Sequence, residues 1–237
     1  MTKNKNLNDE EIGQFHNEIN EKIQKIGKKY SIKEPMLQYP KFVKSDFLAL
    51  CCNPTPFKNQ KILTYEDSFN AECFARNTNE SNNGHFKAIY SFFDNNPVNC
   101  IDLFPIRYRN QDEVMSLIGC KKGAIKYDDL TRFGKDMLNL VQYIIEKLSP
   151  KVLYVLSAGI RDILKQAYAD LIIDDIHGFS ILTLNNKKIL VYFSAALSGS
   201  HVIDNGLKPL VKYHVLHDYL DFQKQWRDKK DVKALDS

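Results

Sequence analysis

The chain has 237 residues, of which 43% are hydrophobic and 26% charged, values of a globular protein with a sizeable core and suited to one large α/β domain. Its formal net charge is +4 and its pI is near 8.6, a mild basicity that permits contact with nucleic acid without demanding it. No apolar run approaches the roughly 20 residues that span a bilayer, residues 1–8 hold no apolar leader core, and the five cysteines (Cys51, Cys52, Cys73, Cys100, Cys120) form no C-x-x-C pair. These features predict a cytoplasmic protein with neither a zinc site nor a disulfide framework.

In chain order, residues 9–29 read as an amphipathic helical extension: Ile12, Phe15, Ile19, Ile23 and Ile26 recur at helical spacing, and Asn8 with Glu11 forms a capping box. Residues 47–52 are a continuous apolar run, the pattern of a strand buried on both faces, and Asn53-Pro54-Thr55-Pro56 ends it. A polar loop around 77–84 precedes a helix from about His85 to Phe93. A second strand, Val98–Phe104, is closed by Pro105, and a short helix follows around Gln111–Ile118. The clearest helix is 128–148, with Leu130, Phe133, Met137, Val141, Ile144 and Leu148 on one stripe. Lys151–Leu156 is the third strand, and it runs into a helix from about Ile160 whose face carries Ile163, Leu164, Ala167 and Leu171. Phe179–Leu184 and Lys188–Phe193 flank Asn185-Asn186 as a hairpin, the second arm being the fourth core strand. From Asn205 the chain reads as largely helical.

This alternation predicts a single-domain, three-layer αβα sandwich over residues 1–237 with a central four-stranded, mainly parallel sheet. Ligands of such sheets bind outside the carboxyl ends of the strands. Four segments fall there by this reading: 53–57, 99–109, 157–161 and 194–201.

Each segment carries chemistry with a plain structural counterpart. Asn53 can hold a water between rigid prolines, and Phe57 offers a flat face for a base; a stiff turn with a packed ring is the other use. Asn99 and Asp102 are polar residues in an apolar strand, where unpaired polar groups are costly. The Asn99 amide pairs either with a pyrimidine edge or with local backbone groups. Arg107-Tyr108-Arg109 combines two cations with a ring, suited to phosphate and base contact or to an ordinary charged surface. Ser194, Leu197, Ser198, Ser200 and His201 crowd one loop, where small residues admit DNA phosphates and His201 can stabilise developing negative charge. His214 and His217 lack an acidic or Cys partner at ligand spacing and read as surface or packing residues.

Taken together, the segments resemble the uracil-DNA glycosylase superfamily. Leu50-Cys51-Cys52-Asn53-Pro54 is similar to the Asn-Pro motif of its mismatch-specific members, which positions the hydrolytic water. Val98-Asn99-Cys100-Ile101 followed by Phe104-Pro105 is similar to the strand whose Asn reads the uracil edge. Phe193–Ser198 aligns with the late His-Pro-Ser-x-Leu-Ser motif, with Phe193 and Ser194 standing where that motif has His and Pro. The resemblance covers residues 45–215. It implies a monomeric base-excision hydrolase acting on single- or double-stranded DNA without cofactor or metal. In the mechanism it implies, Asn53 is catalytic, joined by His201 of the same late loop although His201 is not at the motif's His position; Asn99, Phe57, Pro54, Asp102 and Phe104 meet the flipped base; and Arg107, Arg109, Ser194, Leu197 and Ser198 meet DNA. The competing readings are a non-catalytic nucleic-acid or nucleotide-binding protein on the same fold, and a small-molecule hydrolase or transferase using Ser157 or Ser198.

Overall fold

The computed structural model describes residues 7–32, 36, 38–39, 41–52, 84–94, 96–106, 111–120, 127–168, 171–174, 179–194 and 206–218. Helix α1 (Asp9–Lys29) begins at the predicted capping box, in which Asn8 accepts from the Glu11 N–H at 2.9 Å and the Glu11 carboxylate accepts from the Asn8 N–H at 2.7 Å. The strands β1 (Phe47–Cys51), β2 (Val98–Asp102), β3 (Val152–Val155) and β6 (Lys187–Phe193) lie side by side and parallel in the order β2-β1-β3-β6. Beyond them lie β5 (Phe179–Leu184) and β4 (Leu171–Asp174), both paired antiparallel, so the sheet has six strands rather than the expected four.

The extra strands have separate origins. Strand β5 is the first arm of the predicted hairpin, and Asn185 and Asn186 both take positive φ (50° and 62°), the primed turn that matches strand twist. Strand β4 is a departure. Leu171 continues the spacing of Ile163, Leu164 and Ala167, yet α5 (Ala158–Ala167) stops before it, because Tyr168 turns extended (φ −111°, ψ 95°) and the chain pairs with β5 instead.

Helices cover both faces, as the three-layer prediction requires. Leu48, Leu50, Leu153, Val155 and Val191 point into a core with α1, α4 (Arg132–Leu148), α5 and the short α3 (Gln111–Leu117). Phe47, Ala49, Cys51, Val152, Tyr154 and Leu190 point the other way, onto α2 (Gly84–Phe92) and the helix over residues 208–218, α6, whose Val215 is buried there. Burial on both faces explains why these strands read as unbroken apolar runs. Helix α4 starts at Thr131, whose hydroxyl accepts from the Gly134 N–H at 3.2 Å, and ends at Ser149 in the left-handed conformation. Among the described residues, no helix is long and apolar enough to cross a membrane.

The outer edge of β2 is closed by a strap formed of residues 36, 38–39 and 41–43. Met36 makes an antiparallel bridge to Ile106, the Tyr39 hydroxyl donates to the Asp102 carbonyl, and Val43 exchanges two hydrogen bonds with the Asn99 side chain. The strap therefore runs antiparallel along β2 and occupies an edge that would otherwise present unpaired backbone groups. Helix α1 grips the strap from its other side: the Tyr39 N–H donates to Asn20 Oδ1 at 2.9 Å, and Gln24 Nε2 donates to the Met36 carbonyl at 3.1 Å.

Candidate functional site

Chain order against strand order locates the crevice. From β1 the chain reaches β2 on one side by way of α2, on one face of the sheet. From β3 it leaves through α5, on the opposite face. The connections diverge between β1 and β3, and a doubly wound sheet opens for ligands at the carboxyl ends of the two strands where this happens. Described residues at that edge are Cys51 at the end of β1 and Cys52 after it, Asp102 at the end of β2, Leu156 and Ser157 after β3, and Ser194 after β6.

The edge is held by backbone bonds that continue past the strands. The N–H groups of Leu103 and Phe104 donate to the carbonyls of Cys51 and Cys52 at 2.8 and 2.9 Å. Leu156 N–H reaches the Leu50 carbonyl and Ser194 N–H the Val155 carbonyl, both at 2.9 Å. Cys51 and Cys52 are thus held from the β2 side, and Leu50 from the β3 side.

At this edge the Asp102 carboxylate stands among protonated weak acids. Burial, reinforced by the charge of Asp102, pushes the Cys52 thiol up to about 12, against the neighbouring Ser157 hydroxyl, which pulls it down. Burial also raises the Tyr39 phenol well above its usual value, and Asp102 adds to this. On the α2 side, the buried Tyr154 ring stacks on Phe92 at 4.8 Å and 6°, and burial moves its hydroxyl up to about 12 with Ser194 opposing. Ser157, the N-cap of α5, makes no side-chain cap, and the first turn of α5 carries no acidic residue. The positive helix end at the crevice is therefore not neutralised by its own first turn.

Two predicted site residues, Asn99 and Phe104, stand elsewhere than expected. Asn99 is the second residue of β2 and pairs in register with Leu48, whereas Asp102 pairs with Cys51 at the carboxyl end. Three residues of strand, about 10 Å, separate Asn99 from that end. Its amide is also engaged at both ends: Oδ1 accepts from the Val43 N–H and Nδ2 donates to the Val43 carbonyl, both at 2.9 Å, in a residue only 2% exposed. The expectation that Asn99 reads a pyrimidine edge beside Asn53 is thus corrected to the local backbone role. Phe104, expected against a substrate, is 0% exposed and packs on Phe133 with ring centroids 6.5 Å apart, so it is a core residue.

Asp102 and Ser194 do lie at the carboxyl edge, Asp102 half-buried with its carbonyl taken by Tyr39. Asn53, Pro54, Phe57, Arg107, Arg109, Leu197, Ser198 and His201 lie outside the described residues. Sequence reasoning did not single out Tyr39, Cys52 or Tyr154. The one signal available for Tyr154 was a polar-capable ring in the middle of an apolar strand. No group of three or more His, Cys, Asp or Glu among the described residues is placed to hold a metal ion. No protein-family model matches the chain, and no curated protein matches it.

Proposed function

We propose that this chain is a base-excision hydrolase of the uracil-DNA glycosylase kind, working at the carboxyl edge of β1 and β3. The observation that carries the proposal is the strand order β2-β1-β3-β6, by which the chain leaves the switch-point crevice directly into Asn53-Pro54. In the proposed reaction a uracil-bearing nucleotide is flipped out of DNA, at an unstacking cost of roughly a few kcal/mol. Asn53 directs a water onto the sugar C1′. The C1′–N bond breaks, the base leaves with the bonding pair as an anion, and the water's proton passes to solvent. Phe57 stacks on the base, His201 stabilises the departing anion, and Arg107, Arg109, Ser194, Leu197 and Ser198 hold the DNA, with the uncapped end of α5 adding a positive pole for a phosphate. Base recognition rests on groups other than Asn99. The protein acts as a cytoplasmic monomer needing no cofactor.

A second reading, binding of nucleic acid or nucleotide without cleavage, is favoured by one observation: the amide expected to read the base is committed to Val43. Incubation with uracil-containing single- and double-stranded oligonucleotides separates the two. Alkali-labile sites support the hydrolase, and retention of intact oligonucleotide supports binding alone.

A further inference from the structure

The polar stripe of α1 contains a hydrogen-bond chain whose directions are fixed. The Tyr39 N–H can only donate, so the Asn20 oxygen must face it, at 2.9 Å. The Asn20 NH2 is then turned onto His16 Nε2, at 3.0 Å. An amide NH2 can only donate, so Nε2 must carry a lone pair, which makes His16 a neutral imidazole protonated at Nδ1. His16 and Asn20 are buried (9% and 6% exposed), and Phe42 of the strap lies edge-on to the imidazole at 5.3 Å.

We propose that His16 is a pH-sensitive latch that holds the edge strap on α1 when neutral and releases it when protonated. A proton on Nε2 sets one N–H against another. If Asn20 flips to present its oxygen to the imidazolium, its NH2 meets the Tyr39 N–H instead, so either arrangement loses a buried hydrogen bond. The strap runs along β2 and the segment after it, from Asn99 to Ile106, so its release uncovers the sheet edge that ends beside the crevice.

Among the described residues, Glu21, Lys25 and Lys28 of α1 line the same open groove as His16, and Glu21 is paired with Lys25 at 3.8 Å. Glu18 is engaged by Lys22 and Tyr143. The strap contributes Gln38 and Phe42, which do not titrate, and Tyr39, which burial keeps neutral; from β2, Asp102 faces Tyr39. The latched state binds one proton fewer than the open one. Its stability is complete above the ordinary imidazole value of about 6.5 and falls with pH below it, by up to about tenfold per unit.

The test uses the full chain. Nitrogen-15 spectra of the His16 ring at neutral pH should show the proton on Nδ1, and a proton on Nε2 overturns the proposal. Hydrogen exchange at the Tyr39 amide, corrected for intrinsic rates, should lose about tenfold in protection between pH 7.5 and 5.5. His16→Gln, which offers Asn20 an acceptor that does not titrate, should hold its protection constant. Unchanged protection in the wild type, or the same loss in His16→Gln, overturns the latch. Should His16→Gln not fold, the ring spectrum of the wild type still decides.

Discussion

Replacing Asn99 by Ala separates a structural role from a ligand-reading one, because the two predict opposite outcomes. The substitution removes both hydrogen bonds to Val43 and leaves a small void in a site only 2% exposed. Each such bond has a net worth of about 0.5–1.5 kcal/mol. Val43 itself is 42% exposed, so water can reach its backbone and the full penalty for stranded polar groups does not apply. The expected loss is about 2 kcal/mol, which for a chain of this size lowers Tm by roughly 4–8 °C. Urea unfolding followed by circular dichroism gives the free energy directly, and hydrogen exchange at Val43 should rise with it. An amide kept for a ligand has no such partners, and its removal costs little stability. A change within about 0.5 kcal/mol, the range of ordinary surface substitutions, refutes the clamp.

Three further outcomes follow from described geometry. Gly119 has φ +82°, and a Cβ there would meet the Asp129 carbonyl oxygen at 2.7 Å, so Gly119→Ala should cost at least about 2 kcal/mol in urea unfolding. The Cys52 thiol, raised to about 12 chiefly by burial, should resist iodoacetamide at pH 8 in the native protein and react once urea unfolds the chain, as read by peptide mass mapping. Asp136 accepts from Lys29 Nζ and the Tyr30 hydroxyl at 2.7 and 2.8 Å, tying α1 to α4. Burial raises its carboxyl, but these two hydrogen bonds outweigh burial and hold it below the usual range. A lowered carboxylate value stabilises the fold above the unfolded value of about 3.9, and the effect disappears as pH falls through the folded value. Asp136→Asn should therefore unfold more easily than the wild type at pH 7 and equally at pH 2.

The sequence disclosed the layers more fully than the site. Strands buried on both faces advertise themselves as unbroken apolar runs, and the Asn185-Asn186 turn specifies its own geometry, so β1, β2, β3 and the β5–β6 hairpin were legible. Strand β4 was hidden because Leu171 falls on the helical spacing of α5, and only the backbone at Tyr168 decides where that helix stops. The same unbroken apolar pattern gives no mark of height along a strand, which is why Asn99 could be read as lying at the wrong end of β2. The strap has no period at all: Tyr39 meets Asp102 across 63 residues of sequence, and nothing local anticipates that contact.

The proposed hydrolysis of a base–sugar bond rests on Asn53, which follows Cys52 in the chain. Its most direct test is excision of uracil from a labelled oligonucleotide by wild type and by Asn53→Ala, with folding of both checked by circular dichroism. The account predicts cleavage by the wild type and its loss, by at least about a hundredfold, in the variant. No product from the wild type, or equal product from both proteins, contradicts it.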